Sequence, residues 1–111
     1  MAEYNKSMPV RYDVTTDVEE KILSIGTTNA NITFNQDLYA IEIANHSSNA
    51  VVYLKIDGSV SSTSTGLPIY PKQYYSANKK IKKLDGIGLI SDKSNTDVRV
   101  FGHFELEPEN I

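Results

Sequence analysis

Large apolar residues occupy every second position in the segment from Leu38 to Asn45. Tyr39, Ile41 and Ile43 alternate there with smaller or charged residues. A period of two places successive side chains on opposite faces of a β-strand, so one face can be buried while the other meets solvent. The pattern therefore predicts a half-buried strand near the centre of the chain.

A second strand is predicted directly afterwards, from Ala50 to Ile56. Val52 and Leu54 lie on its apolar face. The link between the two strands, residues 46–49, is polar and contains turn formers, so it can reverse the chain. We expect the two strands to form a β-hairpin with a four-residue loop.

Weaker alternation and turn residues predict six further strands. Pro68 and Pro71 suit only an edge strand, because each proline removes a donor from the hydrogen-bond ladder. The Ser/Thr run of residues 59–65 is too polar for a core and predicts an exposed loop or edge. The six strands are expected over residues 21–25, 31–35, 67–71, 74–84, 87–91 and 97–107.

About eight short strands without helical periodicity predict an all-β protein. The expected architecture is a single antiparallel β-sandwich of the jelly-roll type, and an eight-stranded barrel is the alternative. An extended N-terminal arm is expected over residues 1–20, the sandwich over residues 21–106, and an acidic C-terminal tail over residues 107–111.

Composition narrows the functional classes. The chain has 111 residues, no cysteine and a formal net charge of −3. It is long enough for one core, and it has no thiolate for a disulfide, a zinc site or a nucleophile. The acidic balance argues against nucleic-acid binding. We also expect no secretory signal and no membrane association, since the longest apolar run is only residues 50–54.

The charges are distributed unevenly along the chain. Lys79, Lys80, Lys82 and Lys83 stand within five positions, where a strand would present charge on both faces. This arrangement predicts an edge strand or a protruding loop. The cluster would be solvated, paired with an acidic patch of a partner, or in contact with nucleic-acid phosphates, the least favoured of the three. Acidic residues cluster near both ends of the chain, at Asp13, Asp17, Glu19 and Glu20 and at Glu105, Glu107 and Glu109.

The sequence contains no recognisable catalytic or metal-binding motif. His46 and His103 are the only histidines, and they lie on separate predicted elements without metal-ligand spacing. We therefore expect no enzyme activity, no metal and no cofactor. Tyr70, Tyr74 and Tyr75 could instead form an aromatic platform, which leaves a carbohydrate-binding module as an alternative function.

Three segments together resemble small structural proteins of tailed bacteriophages. They are the two predicted central strands with their link (residues 38–58), Gly-Leu-Pro-Ile-Tyr-Pro (residues 66–71), and Ser-Asn-Thr-Asp-Val-Arg-Val-Phe-Gly (residues 94–102). The resemblance implies a virion component assembled in the host cytoplasm, either a head-decoration (cement) protein or a collar or tail-associated protein. Its partners would be the major capsid protein or other virion proteins, and the symmetry of a capsid favours a homotrimer.

Two groups of residues are the predicted partner-binding sites. Apolar side chains in a solvated arm need a covering surface, so a partner is expected to bury them. The lysine cluster would supply electrostatic docking, which salt should weaken. The predicted site residues are Tyr4, Met8, Val10, Arg11 and Tyr12 in the arm, with Lys79, Lys80, Lys82 and Lys83.

Overall fold

The computed structural model describes residues 15–57 and 59–106, and these residues contain eight strands and no helix. The strands are β1 (Thr15–Ile25), β2 (Ala30–Ile32), β3 (Ala40–Asn45), β4 (Val52–Lys55), β5 (Leu67–Ile69), β6 (Tyr74–Ala77), β7 (Ile87–Ser91) and β8 (Thr96–Leu106).

The strands form two four-stranded antiparallel sheets. Sheet A has the order β1-β8-β3-β6, and sheet B has the order β2-β7-β4-β5. The first strand pairs with the last, the second with the seventh, the third with the sixth and the fourth with the fifth. The chain is thus one long antiparallel ribbon rolled into two layers, which is jelly-roll topology. The predicted all-β sandwich is confirmed.

The core lies between the two sheets and consists of inward-facing aliphatic residues. Those of β3, β4 and β8 follow the predicted alternation, whereas every residue of β7 is buried. Gly102 on β8 leaves room for Leu38, since a Cβ at this glycine would stand 2.8 Å from Leu38 Cδ1. The central side chains, all at most 2% exposed, include Leu38, Ile41, Ile43, Val52, Leu54, Ile87, Leu89, Val98 and Val100.

The predicted hairpin of β3 and β4 is wrong. β3 pairs with β6 and β8 in sheet A, whereas β4 pairs with β5 and β7 in sheet B. The connecting residues turn the chain from one sheet to the other. At this corner the buried side chain of Asn45 donates from Nδ2 to the carbonyls of Ala50 and Ile69, both at 2.8 Å. These two bonds tie the end of β3 to the opposite sheet.

The first strand begins earlier in the chain than the sequence predicts. β1 begins at Thr15 and pairs with β8 along its whole length, so residues 15–20, which were predicted to belong to an N-terminal arm, lie in sheet A. Charged side chains at inward positions, such as Glu19, obscure the alternation of this half of the strand. Glu19 and Lys21 form an ion pair at 3.2 Å, and the Lys21 ammonium lies 5.7 Å from the centre of the Phe34 ring. Residues 1–14 and the tail of residues 107–111 lie outside the described residues.

The predicted strand of residues 74–84 ends at Ala77. Residues 78–86 form a loop instead, which we call the lysine loop. Ile81 anchors its centre, because this side chain is 3% exposed and its backbone exchanges two hydrogen bonds with Leu38, at 2.8 and 3.0 Å. Of the two predicted alternatives for the lysine cluster, the structure therefore has the loop.

Candidate interaction surface

One end of the sandwich carries a projecting pair of strands. The last pair between β3 and β8 is Ala40 opposite His103, but β1 and β8 continue to Thr15 opposite Leu106. This ribbon therefore extends three residue pairs beyond β3, or about 10 Å at ~3.4 Å per residue. The segment that contains the predicted site residues Tyr4, Met8, Val10, Arg11 and Tyr12 joins the ribbon at Thr15, although these five lie outside the described residues.

The lysine loop lies at the same end. It begins where β6 ends at Ala77. Ala77 lies opposite Ile41 of β3, which lies opposite Gly102 of β8, so the loop begins at the end of the sandwich from which the ribbon projects. The four lysine side chains are all exposed, and no ion pair joins them to a carboxylate within the described part of the chain. The backbone N–H of Lys83 donates to Asp37 Oδ1 at 2.8 Å, which fixes the loop. The fold thus brings together the lysine cluster and the point where the arm begins.

The outward face of sheet A presents apolar side chains to solvent. Ile22 on β1 is 66% exposed and Val18 is 42% exposed, and Tyr74 on β6 is 69% exposed. The strand register places these residues on the same side of the sheet as Phe101 of β8. We call this surface the open face; it consists of Val18, Glu20, Ile22, Ala40, Glu42, Ala44, Tyr74, Ser76, Arg99, Phe101 and His103.

The central part of the outward face of sheet B, around β7, is covered by the chain itself. Ser61, in the connection between β4 and β5, is 1% exposed and donates from Oγ to the carbonyl of Tyr53 at 2.9 Å. Its backbone N–H donates to Asn29 Oδ1 at 2.8 Å. Gly88 of β7 lies directly beneath, because a Cβ there would stand 2.5 Å from the carbonyl oxygen of Ser59. The Ser/Thr run was predicted to be exposed, but its residue Ser61 is buried, and the hydrogen bonds of Ser61 hold the connection against the sheet.

A shallow depression lies on the open face between β3, β6 and β8. The His103 Nε2 atom is 3.7 Å from Glu42 Oε1, and the rings of Tyr39 and His103 are 6.2 Å apart at a tilt of 48°. Ser76 and Asn78 line the other side. Among the described residues no hydrogen bond joins Ser76 to His103, so the depression offers a histidine and a carboxylate without an activated nucleophile. The other histidine, His46, is exposed in the β3–β4 corner.

The three tyrosines proposed as a platform do not share one surface. Tyr74 belongs to the open face, whereas Tyr75 is half-buried and packs against the core. Tyr70 is exposed in the connection from β5 to β6. The aromatic pair that the fold does bring together, Tyr39 and His103, was not predicted, because its two members are distant in the sequence and meet only through the pairing of β3 with β8.

An ion pair forms one border of the open face. Arg99 Nε donates to Asp97 Oδ1 at 3.0 Å, and Arg99 Nη2 donates to Asp97 Oδ2 at 3.2 Å. This fork of hydrogen bonds lowers the pKa of the Asp97 carboxyl from its ordinary 3.8 and raises the pKa of the Arg99 guanidinium. Since Arg99 is already neutralised, Glu20 and Glu42 give the open face a net acidic character.

Residues 15–57 and 59–106 hold no group of three or more side chains suited to bind a metal ion. They also contain no helix long and apolar enough to cross a membrane. No protein-family model matches the sequence, and no curated protein matches it.

Proposed function

We propose that this protein is a non-enzymatic structural component of a tailed-phage virion, assembled in the host cytoplasm, and that it decorates the capsid and bridges neighbouring capsid subunits. The observation that carries the proposal is the convergence of a projecting ribbon, the start of the arm and a loop with four exposed lysines at one end of a rigid sandwich. Such an end can contact a partner without any change in the fold.

The attachment would combine electrostatic and apolar contacts. The four lysines favour an acidic patch of the major capsid protein or another virion protein. Tyr4, Met8, Val10 and Tyr12 of the arm would be buried by the partner surface. Each contact is weak by itself, but repetition over a symmetric shell raises the overall avidity. Self-association into a homo-oligomer would multiply the contacts further.

The jelly-roll topology is compatible with this function but does not select it. The same architecture occurs in viral capsid proteins and in lectins. A fold hosts many functions, so the choice between them depends on the surface. Here the described surface offers a lysine-rich end and an open face with exposed apolar side chains at Val18, Ile22 and Tyr74, which favour contact with another protein.

Co-sedimentation with phage capsids tests the proposal. The capsids are assembled from the major capsid protein encoded beside this gene, where such a gene is found. Deletion of residues 1–14 preserves β1, whereas deletion of residues 1–20 would remove half of that strand, so the shorter deletion is the informative one.

The deletion variant and a variant with all four lysines changed to glutamine should each lose most binding to capsids. Binding of the unmodified chain should also fall as salt rises. Lys93→Gln is the matched control, because this exposed lysine lies in the β7–β8 turn at the opposite end of the sandwich. Full binding by both variants, or the absence of virion genes beside this one, would contradict the proposal. Labelled particles seen by electron microscopy would distinguish a head position from the alternative collar or tail position.

Carbohydrate binding is the second candidate, and the depression on the open face is the observation that favours it. Tyr39 and His103 could stack on a sugar ring while Glu42 and Asn78 accept or donate hydrogen bonds. A glycan array should then show a signal that Tyr39→Ala removes and Tyr70→Ala, outside the depression, retains. No signal on the array would dispose of this candidate.

A further inference from the structure

The edge of sheet A formed by β1 differs from the other three sheet edges. β2 and β5 have three residues each and β6 has four, and Pro68 in β5 has no N–H to donate. β1 has 11 residues, contains no proline or glycine, and pairs only with β8 among the described residues. A long edge strand with unpaired backbone groups is a template for one more strand.

The side chains of β1 restrict which strand can be added. Val18 and Ile22 face outward and are exposed, whereas Glu19 and Lys21 face inward. Charges on an edge strand oppose pairing with an unmatched partner, because like charges directly opposite each other repel. An added strand must therefore carry apolar and charged residues in a complementary order.

We propose that the added strand is β1 of a second copy of this chain, paired antiparallel about a two-fold axis at Glu20. A two-fold axis perpendicular to the sheet makes every contact twice. In this register Ile22 lies opposite Val18 of the second copy on the outward face. Lys21 lies opposite Glu19 of the second copy on the inward face, so both apolar residues and both opposite charges are matched.

The other two-fold registers lack this match. Residues directly opposite each other in an antiparallel pair point to the same face of the sheet. If the inward faces of both copies are to stay on one side, the two-fold axis must therefore pass through a residue of β1 and not between two residues. An axis at Lys21 places that lysine against itself, and an axis at Glu19 places that glutamate against itself. An axis at Val18 places Glu19 opposite Asp17. An axis at Ile22 avoids like charges but places Lys21 opposite Leu23. Only the axis at Glu20 opposes both unlike charges and both apolar side chains. Its costs are the contact between the two Glu20 carboxylates and the position of Asp17 opposite Leu23 of the second copy.

Two consequences follow for the assembly. Repulsion between the two Glu20 side chains keeps the pairing weak, so the dimer forms at raised concentration or where copies are held close together. Thr15 lies opposite Ile25 of the second copy, which places the starts of the two arms at opposite ends of the paired strands. The inference does not rest on the virion proposal, because it uses only the edge and the register of β1.

Single cysteines test the register, because the natural chain has no cysteine. Glu20→Cys places two thiols opposite each other at the axis. Ser24→Cys, on the same strand and face, would lie opposite Thr16 of the second copy and is the matched control. In glutathione redox buffer the Glu20→Cys dimer should form at least about tenfold faster than the Ser24→Cys dimer, since cross-strand pairs approach the Cβ separation of a disulfide. Equal rates, or faster crosslinking at position 24, would overturn the proposal.

Removal of the repulsion provides the second measurement. Glu20→Gln should lower the dissociation constant of the dimer about fivefold in sedimentation equilibrium, because like charges no longer face each other. Glu42→Gln removes one charge from the same face away from the edge and should leave the constant unchanged. A trimer, or a monomer in both variants at all concentrations, would overturn the proposal.

Discussion

The two sheets of this sandwich have similar inner faces and very different outer faces. Sheet B is covered by the β4–β5 connection, in which Ser61 is buried above Gly88. Sheet A has no such cover within the described residues, and Ile22 and Tyr74 are more than 60% exposed there. Apolar surface that a protein leaves uncovered commonly meets a partner. The difference favours sheet A as the face that the proposed assembly would use.

The largest effect is expected from a substitution of Asn45, the side chain that joins the two sheets. Asn45→Ala removes both hydrogen bonds from Nδ2 and takes this donor from the carbonyl of Ile69, while the carbonyl of Ala50 keeps the Ser47 hydroxyl at 3.1 Å. The loss of two buried hydrogen bonds should lower the free energy of unfolding by about 2–3 kcal/mol. Urea denaturation measures the loss. Asn49→Ala, in the same corner but exposed, is the control, and equal stability of the two variants would show that Asn45 does not hold the sheets together.

The covered face should be sensitive to added volume. Gly88→Ala introduces a Cβ that would stand 2.5 Å from the Ser59 carbonyl oxygen and 3.0 Å from Asn29 Oδ1. The connection must then lift from the sheet, which should cost about 1–3 kcal/mol in the free energy of unfolding. Gly26→Ala meets no atom within 4 Å and should change stability far less. If the two alanine variants unfold at the same urea concentration, the connection does not press on sheet B.

The open face should tolerate substitutions that the covered face does not. Ile22→Thr keeps a β-branched residue at an exposed strand position, so we expect the free energy of unfolding to change by less than about 0.5 kcal/mol. Self-association through β1 should nevertheless weaken, because the contact with Val18 of the second copy is lost. Urea denaturation and sedimentation equilibrium separate the two effects. A large loss of stability would mean that Ile22 serves the fold rather than an interface.

The smallest effect is expected from the ion pair at the border of the open face. The Arg99 guanidinium lowers the pKa of the Asp97 carboxyl, so the pair contributes stability above the ordinary aspartate pKa and loses it as pH falls through the lowered value. The stability difference between the natural chain and Asp97→Asn should therefore shrink between about pH 7 and about pH 2. Both side chains remain partly exposed to solvent, at 31% for Arg99 and 46% for Asp97, so the difference is small throughout. A difference that grows on acidification would contradict the assigned direction.

The sequence predicts strands better than it predicts their partners. Alternation at Ile41 and Ile43 depends on one buried face, which any sandwich strand has, so the strands were identified. The same alternation does not tell whether the next strand joins the same sheet, so it predicts a hairpin where the structure has the corner at Asn45. The decisive contacts, from Asn45 to Ala50 and Ile69, involve an amide whose burial only the tertiary structure reveals.

The sequence predicts only part of the candidate surface, because the rest depends on tertiary structure in the same way as the strand pairing does. Four lysines in five positions are visible in the sequence, and the structure does expose them. Ile22 lies in the predicted strand of residues 21–25, whereas Val18 lies in the part of β1 that was predicted as arm, because Asp17 and Glu19 occupy its inward positions. Whether an outer face is open or covered depends on distant chain segments, here the Ser61 connection, and no local pattern contains that information.

Concentration-dependent nuclear magnetic resonance spectra test the central claim most directly. A dilution series of the uniformly labelled full chain locates the residues that enter a contact as concentration rises. The account predicts shifts in the backbone amides of β1, centred on Glu20, and on the open face beside it, with none in β5 or in the connection that holds Ser61. Shifts confined to sheet B, or spectra that do not change with concentration, would contradict it.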